Sequence, residues 1–248
     1  MGKDRLAVSE VFGPTLQGEG PTAGAPCVFL RTGGCNLSCN WCDTAYTWDW
    51  QGVSDMAQEQ GEPFVATEEL SVGSPQDVAR TVAGHLRDGD RLVVSGGEPM
   101  LQQEALAEVF HHLEALGHTP PIEVETNGTR SPLPVFDVWV DQYNVSPKLS
   151  HSGDPARRRI VPGALRALRD TGRAVWKFVV EGPQDVGNVA TWATNHGLAR
   201  STVWVMPLGR TPEELEARYR PVADAAAHHR LRMTNRLHVL AWGDERGR

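Results

Sequence analysis

From Arg91 onward the sequence switches repeatedly between two periods, and this constrains the fold more than any other feature. Short apolar runs at 91–95, 122–126, 136–140 (the strand ending near Asn144), 174–180, 202–206 and 237–242 read as strands. Between them, 101–116, 162–170, 184–196 and 212–229 carry apolar residues at helical spacing. Strands that alternate with helices pair in parallel through right-handed crossovers. A first repeat helix opens at Ser74, a residue suited to cap it, with Pro75 at its first position and Val78, Val82 and Leu86 on its buried face. A complete eight-stranded barrel takes about 250 residues without large loops, and this chain starts its repeats late. The expectation is therefore an α/β fold: a partial, open parallel β/α barrel of about six strands. With no internal repeat or linker, 1–248 reads as a single domain.

The chemistry is announced by Gly33-Gly34-Cys35-Asn36-Leu37-Ser38-Cys39-Asn40-Trp41-Cys42-Asp43-Thr44. Three of the 4 cysteines lie there, spaced C-x3-C-x2-C, in a polar run without regular periodicity that reads as a loop wrapped around a metal site. Three thiolates leave one iron of a [4Fe-4S] cluster without a protein ligand, hence open to chemistry. A zinc knuckle with Cys27 or a histidine as fourth ligand is the competing reading, although no second C-x2-C or H-x3-H follows. Cys27 itself falls in 26–31, a buried first strand, and reads as a core thiol.

The bulk properties set limits. Lys and Arg number 24 against 31 Asp and Glu, a formal net charge of −7 with no basic block, which argues against a nucleic-acid-binding surface. No run of eighteen apolar residues and no apolar signal core occurs, so no membrane span is expected and the cytoplasm, where thiols stay reduced, is the expected location.

In parallel α/β architectures ligands bind at the C-terminal ends of the strands. Besides the cysteine loop, four polar runs fall there: Ser95-Gly96-Gly97-Glu98-Pro99, Glu125-Thr126-Asn127-Gly128, Ser146-Pro147-Lys148 and Met206-Pro207. Two glycines let a ligand approach the backbone, and a carboxylate beside them can hold an ammonium group. Taken alone, each of these runs is also an ordinary strand-end turn. The N-terminal segment 9–20, rich in Gly and Pro at its end, reads as a turn or loop.

Cys35, Cys39 and Cys42, with Trp41 before the last, resemble the signature of the radical S-adenosylmethionine (SAM) superfamily. Together with Leu16-Gln17-Gly18-Glu19-Gly20, Cys42-Asp43-Thr44 and Asn235-Arg236-Leu237-His238, they are similar to the 7-carboxy-7-deazaguanine synthase family over residues 9 to 243. The resemblance implies a lyase that converts 6-carboxy-5,6,7,8-tetrahydropterin to 7-carboxy-7-deazaguanine with loss of ammonia, in 7-deazapurine biosynthesis. It implies a [4Fe-4S] cluster on the three cysteines and SAM on the open iron, with Trp41, Asp43, Gly97, Glu98, Ser146, Pro147 and Lys148 around these cofactors and Glu98 on the methionine ammonium. It implies Mg²⁺ on Thr44, whose competing role is to cap the loop. For the substrate it implies Leu16, Gln17, Gly18, Arg31, Ser95 and His238, with Arg31 on the carboxylate and His238 reaching in from the last strand. A flavodoxin or ferredoxin as electron donor and a homodimer complete the expectation. Shorter relatives end soon after the matching histidine and bring their terminal carboxylate to the site. This chain continues past His238, so that contact is in question.

Overall fold

In the computed structural model, which describes residues 3–243 and 245–248, the alternation of periods becomes one nine-stranded sheet. Its strands are β1 (Leu6–Leu16), β2 (Pro26–Thr32), β3 (Ser71–Gly73), β4 (Arg91–Gly96), β5 (Ile122–Thr126), β6 (Gln142–Val145), β7 (Ala174–Val180), β8 (Val203–Pro207) and β9 (Arg232–Met233). They lie in the order β3-β1-β2-β4-β5-β6-β7-β8-β9. Every pair from β2 to β9 is parallel, while β1 runs antiparallel to both β2 and β3. The sheet stays open between β3 and β9, so the fold is the expected partial β/α barrel, with the two-residue β9 beyond the last full strand.

The two faces of the sheet differ in chemistry because side chains alternate along each strand. Leu92 and Val94, Val124, Tyr143 and Val145, and Trp176, Phe178 and Val180 bury against the outer helices in one core with Leu106, Phe110, Leu165, Val189 and Val222. On the inner face Phe12, Cys27, Phe29 and Val93 form a small second cluster. Among the other inward positions Glu123, Asn144 and Lys177 are polar and buried, beside the apolar Val179 and Met206.

Three expectations are corrected. Residues 136–140 are not a strand: Pro134–Asp137 is one helical turn and the strand lies later, at Gln142–Val145. Phe136 is buried from the helical turn and Val140 from the turn that follows it, whereas the inward Gln142 and Asn144 disguise the strand. Leu237–Trp242 is a helix with Val239 buried and Leu240 exposed, not a closing strand. Finally, 9–16 is not loop but the body of β1, whose register shift at Phe12/Thr15 accommodates Gly13 and Pro14, with a further shift at Val8/Glu10. The Ser74 cap is present, its Oγ accepting the Asp77 N–H at 3.1 Å. Among the described residues no helix is long and apolar enough to cross a membrane.

Candidate active site

The C-terminal ends of β2 and β4 to β8, the β1 exit and the C-terminal arm surround one cavity of about 430 Å³. Of the residues expected to form a site, all but Glu98 and Pro147 line it: Leu16, Gln17 and Gly18; Arg31; Cys35, Cys39, Trp41, Cys42, Asp43 and Thr44; Ser95 and Gly97; Ser146 and Lys148; and His238.

The cysteine loop leaves β2 and is anchored on several sides. Leu37 N–H donates to Cys35 Sγ at 3.4 Å and Trp48 Nε1–H to Cys42 Sγ at 3.3 Å, while Ser38 N–H donates to Asp154 at 2.7 Å. Asn127 Nδ2 reaches Asn36 Oδ1 at 3.0 Å, which braces the β5 loop against the cysteine loop. Burial raises all three thiols above their ordinary range, Cys39 to about 12. Three sulfurs around one cavity, Cys39 buried and Cys35 and Cys42 half-buried, with N–H groups aimed at two of them, fit a metal cluster that would hold them as thiolates. Cys27 does not join them. It is fully buried on β2 against Phe12, Phe29 and Val93, and burial pushes it to about 12.

Gly97 is tied to the same loop by contact rather than by charge. A Cβ there would lie 2.2 Å from the Gly34 carbonyl oxygen and 3.1 Å from Cys35 Cβ, so only glycine allows the two loops to touch. Glu98 lies beneath the cavity wall, fully buried, and accepts from Met100 N–H (3.0 Å), Thr126 Oγ1–H (2.8 Å) and Asn127 N–H (2.7 Å). Burial raises its carboxyl, against the pull of those three donors. Its visible work is to clasp the β4 loop to the β5 loop. Across the cavity, Lys148 Nζ donates to Ser146 Oγ at 3.0 Å and stands 5.4 Å above the Trp41 ring. Thr44 precedes the turn Ala45–Thr47 without a side-chain capping bond, so its hydroxyl, 3.6 Å from Cys42 Sγ, is not occupied as a cap.

The opposite half of the cavity is a web of buried ionic groups. Gln17 Nε2 donates to Glu123 Oε1 at 2.8 Å, and Thr22 Oγ1 and Asn144 Nδ2 donate to the same carboxylate. Burial raises the Glu123 carboxyl even so. Ser95 Oγ donates to Glu125 at 2.8 Å. Glu19 pairs with Lys177 on one side and with Arg236 Nε at 3.0 Å on the other, and Arg236 continues to Asp43. Burial would raise Glu19, but these two cations outweigh it and hold the carboxyl well below the usual range. His238 sits in the first turn of the helix Leu237–Trp242, over Gly18, with its pKa lowered by burial. A Cβ on Gly18 would fall 1.9 Å from His238 Nδ1.

Glu19, Glu123, Lys177 and Arg236 were not among the expected site residues. Signals for two of them were nonetheless present. A lysine inside the apolar run Ala-Val-Trp-Lys-Phe-Val-Val of β7, and acids at alternate positions in Ile-Glu-Val-Glu-Thr of β5, are charges where a buried strand should have none.

Residues 29–220 match the family model described as Radical SAM superfamily. The sequence is 38% identical over 246 residues to the 7-carboxy-7-deazaguanine synthase of Pyrobaculum aerophilum, covering 98% of each chain. The synthase of Halobacterium salinarum is 37% identical, over 96% of this chain and 91% of that relative. That of Bacillus subtilis is 28% identical over 98% of each. Among solved structures, that of QueE from Escherichia coli superposes with a TM-score of 0.65 at 22% identity, covering 94% of this chain and 95% of that one, a likeness of fold.

Proposed function

Since the chain belongs to the radical SAM superfamily, and within it to the 7-carboxy-7-deazaguanine synthase family, we propose that it is a lyase converting 6-carboxy-5,6,7,8-tetrahydropterin to 7-carboxy-7-deazaguanine with loss of ammonia. The observation that carries the reading is the single cavity in which the three cysteines meet a polar half lined by Gln17, Arg31, Glu125 and His238. A [4Fe-4S] cluster and SAM, when bound, supply one-electron cleavage and a radical that takes a hydrogen atom from the substrate.

In this reading Cys35, Cys39 and Cys42 hold the cluster. The half-buried backbone of Gly97, which lines the cavity, would contact the methionine end of SAM, with Glu98 behind the wall fixing that loop and Ser146, Lys148 and Trp41 also available to the cofactor. Arg31 presents a planar fork suited to a carboxylate. Gln17, held by Glu123 and accepting Glu19 N–H at 3.2 Å, and His238 orient the donor- and acceptor-rich pterin edge. Thr44, with its hydroxyl uncapped, offers a hard oxygen to Mg²⁺, completed by substrate oxygens and water. Buried walls keep water from the reacting atoms. A small one-electron protein such as flavodoxin or ferredoxin serves as reductant, and the enzyme works as a cytoplasmic homodimer.

The test is an anaerobic assay with reconstituted protein, SAM, reductant, Mg²⁺ and the carboxytetrahydropterin. Formation of the deazaguanine product is expected. SAM cleavage without that product would show the substrate assignment to be wrong, and zinc without sulfide in the purified protein would remove the radical chemistry altogether.

A further inference from the structure

The C-terminal arm returns across the mouth of the cavity, and Glu245, Arg246 and Arg248 line it. Arg246 is the fixed point. Its Nη1 donates to Glu69 at 2.7 Å, its Nε approaches Glu10 Oε2 at 3.4 Å, and its guanidinium lies 4.0 Å from the centre of the Tyr46 ring. Glu10 is the same carboxylate that accepts from Arg31 Nε at 2.7 Å and from the Tyr46 hydroxyl at 2.9 Å, both on Oε1. One carboxylate thus ties β1, β2, the cysteine-loop tail and the C-terminal arm together.

We infer that Arg246 is a positioning residue: through Glu10, shared with Tyr46, it sets the guanidinium of Arg31 so that its terminal fork meets the substrate carboxylate. The inference rests on the reading of Arg31 given above. The geometry is specific. Glu10 takes the Nε side of Arg31, which leaves the two terminal nitrogens for bidentate recognition. The rings of Phe12 and Phe29, 5.5 and 5.9 Å from the guanidinium carbon, support it from below. Those ring contacts carry no hydrogen bond, so the bond from Arg31 Nε to Glu10 is the directional contact that sets the guanidinium. Glu10 in turn is held by Tyr46 at one oxygen and Arg246 at the other. Arg246 also carries positive charge to a carboxylate that would otherwise be matched by Arg31 alone.

Arg246 is 43% exposed at its side chain, so its replacement leaves the core intact. Binding of 6-carboxypterin and of pterin, which lacks the carboxylate, is to be measured by fluorescence with wild-type protein and with Arg246→Ala, Arg246→Lys, Tyr46→Phe and Arg31→Ala. Arg246→Ala should weaken 6-carboxypterin about tenfold and pterin less than twofold, with Arg246→Lys and Tyr46→Phe between it and wild type. In turnover the same variant should raise KM with little change in kcat. If wild type prefers the carboxylated ligand and Arg31→Ala abolishes that preference while Arg246→Ala leaves it whole, the positioning role is overturned. A wild type without preference, or one whose preference survives Arg31→Ala, would overturn the Arg31 reading and this inference with it.

Discussion

Replacing Glu19 by Gln tests whether the ionic web behind the cavity is a structural element. Glu19 is 9% exposed, Lys177 and Arg236 each 5%, so the pairs are shielded from solvent. Removing one partner of a buried pair strands the other at a cost of about 3–5 kcal/mol. Arg236 keeps Asp43 and the Gly209 carbonyl at 2.6 Å, whereas among the described residues Lys177 keeps only a long pairing with Glu125 at 3.8 Å. The penalty therefore falls on Lys177, and the low end, about 3 kcal/mol, is expected. Removing the stranded cation as well, in Glu19→Gln/Lys177→Met, should recover part of the loss. The pH dependence has a definite sign. Because the folded carboxyl is held below its ordinary 4.5, its contribution is complete above that value and declines as pH falls. The gap between wild type and Glu19→Gln should shrink by about 1.4 kcal/mol per pH unit below 4.5. Urea unfolding of the two apoproteins at pH 7.5, 4.5 and 3.5 measures it. A loss below about 1 kcal/mol at pH 7.5, a typical surface-pair value, or a gap that does not narrow in acid, would refute the reasoning.

Other substitutions probe the remaining contacts. Gly18→Ala places a Cβ on His238 Nδ1 and should lower kcat/KM roughly a hundredfold through displacement of that ring, with iron and sulfide content unchanged. Cys27→Ala should likewise keep full iron and sulfide at a stability cost of about 1 kcal/mol, whereas alanine at Cys35, Cys39 or Cys42 should remove both elements; metal analysis after anaerobic reconstitution decides. Ser74→Ala deletes an exposed helix cap far from the cavity and should cost about 1 kcal/mol, lowering the thermal midpoint by about 2–4 °C without changing activity.

The parts of this site that were legible in the sequence are those where neighbouring residues act together. The cysteine loop and the Gly-Gly-Glu-Pro turn combine within a few positions, and their placement at strand ends followed from the alternation of periods. Glu19 and Arg236 stand inside motifs in which they carried no role of their own, and Lys177 showed only as a charge inside an apolar run; that the three pair with one another was not legible because their segments are distant and meet only in the fold. Glu98 shows the opposite limit. Its motif marked it as a ligand contact, but the three backbone and hydroxyl donors that enclose it come from the β4 and β5 loops, which are distant in sequence and meet only in the fold. The misread strand at 136–140 has the same origin as the missed site residues. The outer helices cover one face of every central strand, so the other face is free to carry polar groups, and β6 reads Gln-Tyr-Asn-Val because Tyr143 and Val145 pack outward while Gln142 and Asn144 share one side chain-to-side chain bond of 2.9 Å on the inner face. The polar positions that weaken the strand signal in β5, β6 and β7 are thus the ones that build the cavity, and a parallel strand interrupted by charge at every second residue is itself evidence of a buried polar site.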